Sequence, residues 1–110
     1  MSGWFELHKN EKGHYHFVLK AGNAETILSS EVYQSKSAAE GGIASVQTNS
    51  PQDARYERKT STNGKPFFNL KAGNHEVIGS SQMYSSEAAR ETGIASVKAN
   101  GPSKTVKDHS

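Results

Sequence analysis

Gly42-Ile43-Ala44-Ser45-Val46 returns as Gly93-Ile94-Ala95-Ser96-Val97, 51 residues further on. The match extends outward from both copies without a gap. Gly3 to Pro51 lies over Ala54 to Pro102 with 23 of 49 pairs identical, including Leu19-Lys20-Ala21-Gly22-Asn23 over Leu70-Lys71-Ala72-Gly73-Asn74. Two units are too few for a solenoid or propeller, which need three or more. They suit a fused dimer with a pseudo-two-fold axis and one shared core. The expected organisation is one domain over 1–110, made of repeats 3–51 and 54–102 and a C-terminal strand and tail at 103–110.

Within each unit, turn residues separate strand-like runs. Asn10 to Gly13 and Ser61 to Gly64 are turns, the second carrying the Asn-Gly pair of tight hairpins. Ala-Gly-Asn at 21–23 and 72–74 makes the next turn. Strands are expected at 4–9, 14–20 and 25–30, and at 55–60, 66–71 and 76–81. Side chains alternate across a strand, so Phe5, Leu7, Phe17, Leu19 and Ile27 form one apolar face. Their counterparts are Tyr56, Arg58, Phe68, Leu70 and Ile78, with Arg58 placed at a rim.

The quoted pentapeptide sits in the segment that follows, 35–49 and 86–100. Ser35 and Ser86 are candidate N-caps, with Ser37 and Ser85 as rivals. Asn49 and Asn100, each two residues before a proline, mark the stop. Ala39, Ile43 and Val46 stand at helical spacing, so this segment is a helix that covers the sheet. Glycine inside a helix costs about 1 kcal/mol against alanine. Gly42 and Gly93 therefore imply close approach of the helix backbone to aromatic residues of the sheet. Tyr33 and Tyr84 are expected to plug the edge of the core with their hydroxyls at the surface.

The Lys-Ala-Gly-Asn turns, the Ser29–Ser35 and Ser80–Ser86 segments and the Gly-Ile-Ala-Ser-Val helices together resemble the YegP-like family of small bacterial proteins. The resemblance covers nearly the whole chain. It implies an α+β fold of tandem β(3)-α-β units forming a single antiparallel sheet with two helices on one face. It also implies that the strand after each helix is exchanged between the halves, here the Asp53–Lys59 region and Ser103–Asp108. The family is a domain of unknown function, so the resemblance carries over no catalytic residue or cofactor.

Composition narrows the function. There are 13 basic and 11 acidic residues, a formal net charge of +2, and no cysteine, which removes disulfides, thiolate metal sites and a cysteine nucleophile. No leader or membrane-length apolar run is visible, so a cytoplasmic, membrane-free protein is expected, acting as a monomeric fused pseudo-dimer. No nucleophile with a base, paired carboxylates or phosphate loop stands out, and a non-enzymatic interaction module is the expected role.

The even positions of the strands form the face opposite the core. Trp4, His16 and Phe67 there offer stacking surfaces, and Lys20, Arg55, Lys59 and Lys71 offer positive charge, a pattern suited to a protein or single-stranded nucleic acid. The alternative is a site in the first repeat. His8, His14 and His16 share that face and are candidate zinc or copper ligands with Glu6 nearby. The helix N-termini, with Ser29, Ser30, Ser35 and Lys36 and their counterparts, are candidate anion sites.

Overall fold

The computed structural model describes residues 3–110; the first two residues of the expected domain lie outside them. Strands β1 (Trp4–Lys9), β2 (Tyr15–Lys20) and β3 (Thr26–Ser30) lead into helix α1 (Lys36–Asn49). After a single 3-10 turn, Asp53–Arg55, come β4 (Tyr56–Thr60), β5 (Pro66–Lys71), β6 (Val77–Ser80), helix α2 (Glu87–Asn100) and β7 (Val106–Asp108). The seven strands form one sheet in the order β4-β5-β6-β3-β2-β1-β7. Both helices lie on one side of it.

The sheet is mixed, which corrects the expectation of a wholly antiparallel one. Five of its pairings are antiparallel, but β7 runs parallel to β1, with Phe5 opposite Val106 and Leu7 opposite Asp108. Strand exchange explains this. Helix α1 delivers the chain across the molecule to β4, which pairs with β5 of the second repeat. Helix α2 delivers it back toward the equivalent slot beside β2, but β1 already fills that slot. The returning strand keeps its direction and is displaced one place outward, so it meets β1 in parallel.

Residues buried on the helix side match the expected apolar face: Phe5, Leu7, Phe17, Leu19, Tyr56, Phe68 and Leu70, with Ile43, Val46, Ile94 and Val97 from the helices. The third strand departs from simple alternation. Leu28 pairs with Leu19, and a bulge between Leu19 and Lys20 then pairs Lys20 with Thr26; Ile27 is the extra residue, and both Ile27 and Leu28 are buried. Across the pseudo-two-fold axis, the counterpart of Leu28 is Gly79, where a Cβ would lie 3.1 Å from the Leu28 Cγ. Ser50 and its counterpart Gly101 repeat this arrangement: a Cβ on Gly101 would lie 2.1 Å from the Ser50 Oγ. At each position next to the axis, one large and one small residue fill space that two large ones could not share.

Ser35 and Ser86 cap the helices, their hydroxyls each accepting from the amide three residues on at 3.1 Å. Gly42 and Gly93 are the expected close approaches, and the main neighbour is a loop tyrosine. A Cβ would lie 2.4 Å from the Tyr33 hydroxyl at Gly42 and 2.2 Å from the Tyr84 hydroxyl at Gly93. Each ring runs nearly parallel to a core phenylalanine and offset from it, Tyr33 beside Phe17 and Tyr84 beside Phe68. The tyrosines pack against the core edge, with each hydroxyl reaching over the glycine of its helix. Arg58 is at the rim as expected, paired with Glu91 of α2 at 2.9 Å and Asp53 at 3.2 Å.

Candidate functional site

The face without helices is ruled into rows by strand register. Its central row runs Glu57, Asn69, Ser80, Ser29, Val18, Glu6, Lys107 from β4 to β7. Antiparallel pairing then puts Trp4 and Lys20 on one side of that row and His8 and His16 on the other. The second half of the row is tied up internally. Ser80 donates to Asn69 at 2.6 Å, Asn69 donates to Glu57 at 3.2 Å, and Lys71 pairs with Glu57 at 3.1 Å.

The first half gathers aromatic and basic groups around a single carboxylate. The Trp4 indole N–H donates to Glu6 at 2.9 Å, and the Lys107 ammonium stands 4.3 Å over the Trp4 ring. Lys20 is the cross-strand partner of Trp4. On the other side, His16, His8 and His109 form a file across β2, β1 and the end of β7. Successive rings are 5.3 Å apart, with planes inclined by 21° and 17°. The His109 amide donates to the Leu7 carbonyl at 2.8 Å, which holds the third ring in place. The Trp4 bond holds the Glu6 carboxyl below its ordinary value, with Lys20, His109 and His8 adding to the effect. Burial holds the His16 imidazole below its ordinary value, and His8 adds to that.

Of the residues expected on this platform, Trp4, His16 and Lys20 are brought together. Lys59 and Phe67 face each other across β4 and β5 on the same side of the sheet. They are far from His16: Phe67 is three strand spacings from β2 and Lys59 four, and with the displacement along the strands Phe67 is about 20 Å away and Lys59 further. Lys71 is engaged by Glu57. Arg55 is not on the platform at all, because it lies in the 3-10 turn and donates its Nε–H to the Asn49 side chain at 2.9 Å. That bond fastens the end of α1 to the start of β4.

Sequence reading missed His109 and Lys107. Both lie in the C-terminal tail, and only the parallel docking of β7, invisible in any local pattern, carries them to the face. The histidine triplet is also rearranged. His8 faces His16, while His14 precedes β2 in the turn, its amide bonded to the Asn10 side chain. Among the described residues, no three His, Asp or Glu side chains are grouped so as to hold a metal ion. Imidazoles stacked ring on ring direct their nitrogens sideways, whereas ligands must converge on one point. At the helix N-termini, the Ser35 and Ser86 hydroxyls are occupied by capping, and Lys36 is paired with Asp108.

Among the described residues, no helix is long and apolar enough to cross a membrane. Among the described residues neither edge strand of the sheet, β4 or β7, has an outer partner. The outer side of β4 carries no strand, and its Glu57, Arg58 and Lys59 are charged residues of the kind that discourage edge-to-edge pairing.

Comparison with known proteins gives a consistent result over the whole chain. The family model described as "Domain of unknown function (DUF1508)" matches twice, at residues 10–57 and 61–108. These units begin at β2 and β5 and run into the strand after each helix, so they follow the exchanged strands. The UPF0339 protein YegP of Escherichia coli K12 is 67% identical over 109 residues, covering 99% of each chain. A UPF0339 protein of Acinetobacter baylyi is 62% identical over 108 residues, covering 98% of this chain and 97% of its own. The solution NMR structure of yegP from E. coli superimposes with a TM-score of 0.94 at 67% identity, covering 99% of this chain and 94% of that one. The solution NMR structure of a UPF0339 protein from Shewanella oneidensis gives 0.92 at 60% identity, covering 98% and 92%.

Proposed function

The chain belongs to the DUF1508 family, a domain of unknown function, and from that premise we propose that it is a non-enzymatic interaction module binding single-stranded nucleic acid on the helix-free face of its first half. The observation that carries this reading is the grouping of Trp4, Lys20, Lys107 and the file His16, His8, His109 around the lone carboxylate of Glu6. Flat rings can stack unpaired bases, and ammonium groups beside them can meet the phosphates. The Lys107 ammonium that covers Trp4 is well placed to move onto a phosphate while a base takes its position on the ring.

A platform three strands wide holds only a few nucleotides, so modest affinity is expected. Binding through phosphates releases counterions, which makes affinity fall as salt rises. The test is fluorescence anisotropy of a short labelled single-stranded RNA of mixed sequence. Affinity is expected to fall steeply with salt and to drop about tenfold in Trp4→Ala, in keeping with 1 to 3 kcal/mol per stacked base. Lys107→Ala is expected to reduce the salt slope by about one. Binding that ignores salt and Trp4, or no binding at low salt, would overturn the nucleic-acid reading. A protein partner on the same face would then be the reading to pursue.

A further inference from the structure

The seams between the two repeats contain a matched pair of cavities on the helix side of the sheet, away from the face described above. The first, about 420 Å³, is bounded by Tyr33, Gly42 and Ser45 of one repeat and by Ala72, Glu76 and Ile78 of the other. The second, about 480 Å³, is bounded by their counterparts Tyr84, Gly93, Ser96, Ala21, Glu25 and Ile27. Neither cavity exists within one repeat. Each helix with its preceding tyrosine forms one wall, and the Lys-Ala-Gly-Asn turn of the opposite repeat forms the other.

The two copies have diverged less here than elsewhere. Seven of the nine residues lining the first cavity recur 51 positions away, against 23 of 49 over the whole repeat. On the helix-free face three of six paired positions match: Glu6 with Glu57, Lys20 with Lys71, and Ser29 with Ser80. Part of this retention is structural. Ile27 and Ile78 are core residues, and the glycines make room for the tyrosines. Glu25 and Glu76 have no such explanation. Among the described residues neither forms an ion pair, and both are exposed at the cavity mouth.

We infer that the seam cavities are binding sites for a small organic cation, an ammonium or guanidinium group on a short apolar body. Among the described residues no lysine, arginine or histidine lines either cavity, while carboxylates and a tyrosine hydroxyl stand beside an isoleucine floor. Such a lining offers hydrogen-bond acceptors and negative charge to a cationic head and apolar surface to its stem. The raised value of the Tyr33 hydroxyl, due to burial and then to Glu31 and Glu76, fits two carboxylates facing the same small space. The sites differ in one respect. Glu31 at the mouth of the first is replaced by Gln82 in the second, so the first carries one more negative charge and is the stronger for cations.

The test is an amide NMR titration of the full chain with n-butylguanidinium, against n-butylurea as a neutral probe of the same shape, at low salt. At about 10 mM a site of about 1 mM affinity is mostly filled. The cation is expected to shift the Gly42, Ser45 and Asn74 amides, and the Gly93, Ser96 and Asn23 amides about two- to fivefold more weakly, the scale of one exposed charge pair. Glu31→Gln should bring the two sites level. Glu76→Gln should weaken the first site and leave the second unchanged. Equal shifts from n-butylurea would overturn the assignment of charge, and silence from both probes would overturn the sites themselves.

Discussion

Adjacent glycines in α1 give opposite answers to the same substitution. A Cβ at Gly42 would lie 2.4 Å from the Tyr33 hydroxyl and 2.9 Å from the Phe17 ring, whereas at Gly41 it would meet none of the described residues within 4 Å beyond its own helix turn. Gly41→Ala should therefore stabilise the protein by up to about 1 kcal/mol through helix propensity. Gly42→Ala should destabilise it by about 1 to 3 kcal/mol, because the packed rings must shift. Thermal unfolding of the two variants checks both signs. Ser35→Ala and Ser86→Ala should each cost about 1 kcal/mol in the same assay, since each leaves a first-turn amide without its acceptor. At this scale the sequence was informative: a glycine at a position facing the core in an otherwise helical pattern has few explanations besides close approach. The approaching residue was less legible, because Tyr33 lies in a loop whose path no periodicity describes.

Among the elements, β7 has the weakest hold. It contributes three exposed residues and, among the described residues, pairs only with β1. The histidine file crosses that junction, so a charge on His16 at its inner end bears on the docking of β7. Around the file lie Glu6, which is 3.5 Å from His8, along with Lys20 and Lys107; Asp108 is held by Lys36. The His16 imidazole binds protons less readily folded than unfolded. The folded state is therefore favoured above the ordinary imidazole value near 6.5, and that contribution is lost as pH falls through 6.5 toward the lowered folded value. Between pH 7 and pH 5, the protection factors of the Phe5 and His109 amides, which bond Thr105 and Leu7, should fall relative to those at the centre of the sheet. His16→Phe, which places in β2 the residue found at Phe67, should blunt the pH dependence. The strands, turns and helices were legible from alternation and punctuation to within a residue or two. The parallel pairing of β7 was not, since it depends on which slot in the sheet β1 has already occupied.

For the molecule as a whole, joining two copies in one chain permits what a symmetric dimer cannot have: different residues on the two sides of the axis. Leu28 meets Gly79, and Ser50 meets Gly101. Gly101→Ser should destabilise the protein by about 1 to 3 kcal/mol by overpacking. The double exchange Ser50→Gly with Gly101→Ser should recover most of that loss, because it restores one large and one small residue at the axis; chemical denaturation of the pair measures this coupling. The gapless 51-residue offset made the pseudo-symmetry readable from sequence, but the departures from it became meaningful only once the axis was located. The same asymmetry extends to function. The helix-free face has diverged between the halves, with histidines and Trp4 concentrated in the first, and the proposed partner should accordingly use one half only. The most direct measurement is an amide NMR titration of the labelled protein with a short single-stranded RNA at low and then moderate salt. The account predicts shifts confined to Trp4, Glu6, His8, His16, Lys20 and the Lys107–His109 strand, fading as salt rises. Shifts spread evenly over both halves, or a spectrum that does not move, would contradict it.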